Sequence, residues 1–236
     1  MHIFSLFILT FCFFLFLLCL YGLVSDDFIL FRKHITTERI FNIGFLIASV
    51  ALFFARLFYV FFHFAPGFLN PLVFFLFPYF PGLSFAGGII GGVLFLLFVA
   101  RQQELPLGKF LDFFALSLFC TLPLGLFLEF IATKKTPVSF VLLGAVVVTA
   151  ILFALCLKLF KKSNLKEGST GLLSVLCVSL AVFVTGFVGK KDLVFFFLNG
   201  NDFLLIGIFL VSLGFLIKQE QLLLKVKKII SGLINV

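Results

Sequence analysis

Charge is what this sequence has least of. Asp, Glu, Lys and Arg together make up 12% of its 236 residues, about half the share of an ordinary soluble domain. That scarcity excludes a water-soluble globular protein. Only ten side chains are acidic against 18 basic, a net charge of +8. Tryptophan is absent, methionine occurs once, and Tyr21, Tyr59 and Tyr79 are the only tyrosines, so the usual aromatic belt at a membrane surface has little to draw on. Strict alternation of apolar and polar residues is missing too, which excludes a membrane β-barrel. The five cysteines, Cys12, Cys19, Cys120, Cys156 and Cys177, all lie in apolar segments, and none forms a Cys-x-x-Cys motif. They read as small buried hydrophobes rather than disulfides, metal ligands or nucleophiles. No metal and no cofactor is expected.

What the sequence does contain is apolar bulk. Hydrophobic residues make up 63% of it, 41 of them phenylalanine. Runs near 20 residues recur, each long enough to cross a bilayer as a helix. The fold class is all-α: a polytopic membrane protein with about seven transmembrane helices, expected at 3–24, 41–62, 83–100, 110–132, 137–160, 170–189 and 201–217. The sixth is diluted by Ser174, Ser179 and Thr185. The first lacks a preceding basic residue and a following small-residue cleavage site, so it reads as a span rather than a cleaved signal. Residues 1–217 form a single seven-helix domain in this reading. Residues 218–236 form a basic amphipathic tail lying on the cytoplasmic surface.

Lys and Arg predict the orientation. Thirteen of them fall on one set of loops: Arg32, Lys33 and Arg39; Arg101 and Lys109; Lys158, Lys161, Lys162 and Lys166; and Lys218, Lys225, Lys227 and Lys228. The opposite side holds four, Lys134, Lys135, Lys190 and Lys191, while Arg56 lies inside a span. This places the N-terminus outside and the C-terminus in the cytoplasm, the same parity that seven spans require. The positive charge then serves topology and attraction to anionic lipid, and no nucleic-acid partner is implied.

A charge within a span costs at least about 2.5–3.5 kcal/mol at the bilayer centre, so each is a candidate for function. Arg56 lies near the end of the second span, Glu129 near the end of the fourth and Asp112 at the start of the fourth. With the predicted orientation, Arg56 and Glu129 share the outer half of the bilayer, either as an ion pair or with Arg56 facing an anionic ligand. Asp112 reads as an interfacial cap. The third span opens with "PGLSFAGGIIGG" (81–92). Gly87 and Gly91, and Gly88 and Gly92, fall four apart on one face, the pattern that lets membrane helices approach closely. Pro81-Gly82 breaks the chain before the span, whose first N–H groups suit a phosphate. The connection 64–82 carries no charge and is rich in phenylalanine and proline, a composition suited to the outer interface.

Three stretches, "FARLFYVFFHFAPGFLNPL" (54–72), "PGLSFAGGIIGG" (81–92) and "ARQQELPLGKFLDFFA" (100–115), resemble in order and spacing the bacterial prolipoprotein diacylglyceryl transferases. The resemblance implies seven spans, residence in the bacterial cytoplasmic (inner) membrane, phosphatidylglycerol as donor lipid and prolipoprotein signal peptides as protein partners. It further implies transfer of a diacylglyceryl group to the thiol of a lipobox cysteine, with glycerol phosphate leaving. Its headgroup residues correspond to Arg56, Tyr59, Ser84, Gly87 and Gly88. Other family positions are changed. Ala86 stands where the family has histidine before its paired glycines. In "LGLFLEF" (124–130), Gly125 and Phe130 fit the family's Gly-Arg-x-Gly-Asn-Phe run, but Leu126 and Glu129 replace its arginine and asparagine. The sixth span has no arginine. Glu129 and His63 are then the candidate bases, with Lys134 and Lys135 as possible substitute cations. Three readings stay open: a divergent transferase, a non-catalytic relative that binds anionic lipid or a lipid-linked partner, and a transporter or scaffold.

Overall fold

The structure, a computed structural model, describes residues 2–25, 35–63, 82–132, 137–162, 165–189 and 200–221. These form seven helices: α1 (His2–Ser25), α2 (Thr37–Phe62), α3 (Phe85–Gln102), α4 (Leu107–Ala132), α5 (Pro137–Lys161), α6 (Ser169–Gly189) and α7 (Gly200–Glu220). No strand occurs among the described residues. All seven helices are long and apolar enough to cross a membrane, and each coincides with one expected span. The diluted sixth span is a full helix, because Ser174, Ser179 and Thr185 each donate their hydroxyl to a carbonyl three or four residues back in their own helix. A hydroxyl satisfied in this way costs little inside a bilayer. Exposed Phe, Leu, Ile and Val side chains are spread over every helix, as expected of a surface that faces lipid.

The helices close a ring by neighbour contacts in the order α1, α2, α3, α7, α6, α5, α4, with α4 also touching α3 and α6 across it. Two apolar clusters fill the interior. One joins Leu20 and Val24, Ile40, Ile43 and Ile47, Leu96 and Val99, and Phe110, Phe113 and Phe114, from α1 to α4. The other joins Ile89 of α3, Leu116 and Phe119 of α4, Cys156 of α5 and Val178 of α6. The helix ends are set by local chemistry. Thr36 caps α2 through its hydroxyl, which accepts from the Arg39 amide, the usual service of Thr at an N-cap. Pro123 sits inside α4, tolerated in a membrane helix where neighbouring groups satisfy the freed backbone.

The most extensive pairing is α2 with α3, and the glycines explain it. A Cβ on Gly87 would come within 2.6 Å of the Phe58 Cβ and 3.0 Å of the Phe54 carbonyl oxygen. A Cβ on Gly91 would overlap Phe54. Gly88 and Gly92 face Ala55 and Ala51 across ordinary contact distances of 3.5 and 3.4 Å. The face of α3 without side chains lies directly against α2, which is the small-residue mode of membrane helix packing.

A substitution series tests this register. Gly91→Ala is expected to destabilise the protein by about 1–3 kcal/mol, the usual cost of overpacking a closed contact. Gly92→Ala is expected to be near neutral, and Gly144→Ala, with nothing within 4 Å of its added methyl, neutral or stabilising because alanine is the better helix former. Thermal unfolding in detergent reads all three; equal effects at positions 91 and 144 would contradict the packing.

Candidate functional site

The site is built where α2 ends and α3 begins. Arg56, Tyr59 and His63 follow one another at intervals of three and four residues, so they stand on one face of α2. Arg56 is completely buried, at 0% exposure, and its Nη1 donates to the Gly82 carbonyl at 2.8 Å. Its guanidinium carbon lies 5.7 Å from the centroid of the Tyr59 ring, within the range of a cation–π contact. His63 stacks on the same ring, with centroids 4.6 Å apart and planes inclined by 15°. Its Nδ1 lies 3.3 Å from the Tyr59 carbonyl oxygen. In the tautomer that donates there, Nε2 is left as a base. His63 itself is exposed.

The entry to α3 is laid onto this face. Gly82 has φ +146°, a backbone conformation open to glycine, and a Cβ there would fall onto the Tyr59 ring. Two residues on, the Ser84 amide donates to the Ala55 carbonyl at 2.9 Å. Ser84 is buried and is the N-cap of α3: its hydroxyl accepts from the Gly87 amide at 3.1 Å. Gly88 donates to the Ser84 carbonyl at 3.0 Å. Thus the amides of Gly87 and Gly88, expected to face a phosphate, are engaged within the helix start, and both glycines press against α2. The beginning of α7 abuts the same end, since a Cβ on Gly200 would strike the Phe62 ring.

Of the residues singled out in the sequence, Arg56, Tyr59, Ser84, Gly87, Gly88 and His63 therefore come together. Glu129 is exposed on α4. Ala86 and Leu126, at 1% and 8% exposure, are buried. Lys134, Lys135 and the connection 64–81 lie outside the described residues.

Asp112 forms a second polar group, at the opposite end of α4 from Glu129. It is buried and accepts from the amides of Gly168 at 2.8 Å and Gly171 at 2.5 Å. A carboxylate placed on the first turn of α6 satisfies free N–H groups and meets the positive end of the helix dipole. Gly168, at φ +89°, turns the chain into that cradle. Glu220, also buried, accepts from the Lys166 amide at 2.9 Å and the Ser169 hydroxyl at 2.7 Å. Gln219 donates its side-chain amide to the Glu167 carbonyl, and Lys166 Nζ donates to the Gln219 carbonyl at 2.8 Å. Two carboxylates from α4 and α7 thus hold the turn before α6. Asp112 is a cap, as expected, but of α6 rather than of its own helix. Glu220 was missed: the sequence reading put it in the surface tail, whereas α7 runs through it. The signals were there, in the helix-start run Gly168-Ser-Thr-Gly171 and in Glu220 being the only acidic residue of 218–236. The rest of that tail, 222–236, lies outside the described residues.

Asp112→Ala is expected to lower stability by about 1.5–3 kcal/mol, because it strands buried amides that now face a charged acceptor. Asp112→Asn, which keeps one acceptor oxygen, is expected to fall between it and the wild type in thermal unfolding. Equal stability of all three proteins would show that the cradle contributes nothing.

A family model described as prolipoprotein diacylglyceryl transferase matches residues 1–136, more than half of the chain and all of α1 to α4. No curated protein matches the sequence.

Proposed function

The chain belongs to the prolipoprotein diacylglyceryl transferase family, and on that premise we propose that it takes phosphatidylglycerol at the α2–α3 end and transfers its diacylglyceryl group to a lipobox cysteine. The observation that carries this reading is Arg56. It is a guanidinium buried to 0% exposure in a membrane-spanning helix, backed by Tyr59 and held by the Gly82 carbonyl. An arginine kept at that cost within a span marks a functional position, and its planar fork suits a phosphodiester. In the orientation set by the basic loops, this end faces the outside of the bacterial cytoplasmic membrane, where signal peptides of prolipoproteins emerge.

The chemistry asks for three things. The thiol proton passes to a base as the sulfur attacks the glycerol carbon that carries the phosphate ester. A C–S bond forms, the C–O bond breaks, and glycerol phosphate leaves with its negative charge. Arg56 stabilises that charge, and Tyr59 fixes the guanidinium. His63, two turns along the same face and exposed, is the base nearest in register to Arg56. Glu129 on α4 is the other candidate.

A second reading has its own observation. Ala86 and Leu126 occupy the positions where the family resemblance places a histidine and an arginine, and both side chains are buried. Without those groups the same end would bind anionic lipid or a lipid-linked protein and do no chemistry.

A transfer assay separates the two. Purified protein in detergent is given phosphatidylglycerol with a labelled acyl chain and a lipobox peptide. Label is expected on the peptide cysteine, reduced by about 10²–10³-fold in Arg56→Ala, the usual loss when one anion-stabilising donor is removed. His63→Gln is expected to lower transfer while leaving lipid binding intact. Unchanged transfer in Arg56→Ala would remove Arg56 from the site. No transfer by protein that still retains the lipid would establish the second reading.

A further inference from the structure

The end of α2 remote from Arg56 meets the end of α3 in a polar cleft that the transfer reaction does not use. The cleft has a volume of about 420 Å³ and is lined by Glu38, Arg39 and Asn42 from the start of α2 and Gln103 from the end of α3, over Ile43 and Leu46. Arg39 is fixed across it: Nε and Nη2 both donate to Gln103 Oε1, at 3.2 and 2.9 Å. These contacts use two of the five N–H donors of a guanidinium, so the rest of the fork stays open to an acceptor. Glu38 is exposed and has no ion pair among the described residues. As sequence neighbours, Glu38 and Arg39 leave the helix in different directions and do not face each other, whereas Asn42 follows Glu38 by one turn on the same side. The cleft thus carries a held cation and a separate anion. It lies where lipid-facing surface begins: Phe41, Phe45 and Leu46, within about two turns of Glu38, are all exposed on a helix apolar and long enough to span.

A basic residue at the end of a span serves topology, and an acid in the first turn of a helix suits its dipole. Neither task requires the two to share a cleft, or the cation to be held by a glutamine of another helix. We infer that the cleft is a headgroup site for a zwitterionic phospholipid with a primary ammonium, a phosphatidylethanolamine, of the leaflet opposite to the Arg56 end. The open N–H groups of Arg39 take the phosphate, as guanidinium groups do. The Glu38 carboxylate and the Asn42 carbonyl accept from the ammonium. The acyl chains run down the exposed apolar side chains that begin at Phe41. With the orientation set by the basic loops, this leaflet is the cytoplasmic one. A headgroup with a phosphate alone, such as that of phosphatidylglycerol, would satisfy Arg39 and leave Glu38 without a cation, so the cleft selects by the second charge. A soluble ligand of the same charges would gain nothing from Phe45 and Leu46, which is why a lipid is the occupant.

The test uses the full chain in vesicles of phosphatidylethanolamine and phosphatidylglycerol. A trace of either lipid carries the same photoreactive group on its acyl chain, next to the glycerol. After irradiation, the labelled residues are found by mass spectrometry. The ethanolamine probe is expected to label residues 41–46 about two- to fivefold more than the glycerol probe, the range of an exposed ion pair. Glu38→Gln is expected to bring the two probes level by lowering the first, and Arg39→Gln to lower both, because both carry the phosphate. An ethanolamine probe acylated on its nitrogen is expected to label like the glycerol probe. Glu38 and Arg39 are exposed, and thermal unfolding of each variant confirms that the fold is kept. Equal labelling of residues 41–46 by the two probes in the wild type would overturn the inference. So would a preference that survives Glu38→Gln, or labelling of this stretch that Arg39→Gln leaves unchanged.

Discussion

The close approach of α3 to α2 is the contact on which the rest of this molecule depends. Gly87 and Gly91 have no room for a methyl group against Phe58 and Phe54. Because the helices meet at that distance, the residues entering α3 lie on the backbone of α2: the Ser84 amide reaches the Ala55 carbonyl, and the Gly82 carbonyl reaches Arg56. A guanidinium in a membrane helix needs partners close at hand, since water and ions are excluded there. The glycine face supplies one by bringing a backbone carbonyl to it. Packing and polar satisfaction are one arrangement here, and a bulkier α3 would undo both.

The polar groups at the other end of the bundle obey the same rule with the signs reversed. Asp112 and Glu220 are negative, and they sit on the N–H groups and hydroxyls that open α6. Each buried charge among the described residues thus answers to a backbone group freed by a helix terminus or a turn: Arg56 to a carbonyl, Asp112 and Glu220 to amides. The Asp112 contact also ties α4, within the family-matched region, to the turn before α6, which lies beyond it. The carboxylate at the start of the fourth span therefore has a plain structural task.

Much of this was legible in the sequence because hydrophobic run length is a strong signal. All seven helices were foreseen, and the glycine spacing at 87, 88, 91 and 92 announced a close helix contact. The partner of that contact was not foreseen, because small-residue spacing names one face and says nothing about the helix it meets. Arg56, Tyr59 and Ser84 were read together through their order along the chain and the family resemblance. That Ser84 would bind the Gly87 amide, and Arg56 the Gly82 carbonyl, depends on a turn geometry that Gly82 sets and residue identity alone does not show. The Asp112 cradle was half visible: a cap was expected, but its target lies more than fifty residues away, and no local pattern encodes so distant a partner. Glu220 was hidden by its basic neighbours, which made the whole tail read as surface.

The central claim is that the Arg56 end of the bundle holds an anionic phospholipid. The most direct measurement is the composition of lipid retained by the protein when it is extracted into nanodiscs from a mixed membrane, compared with that around Arg56→Gln, which keeps a donor for the Gly82 carbonyl while removing the charge. The account predicts phosphatidylglycerol enriched over its share in the membrane around the wild type, and enrichment lost in the variant. A wild-type protein whose retained lipid simply mirrors the membrane would contradict it.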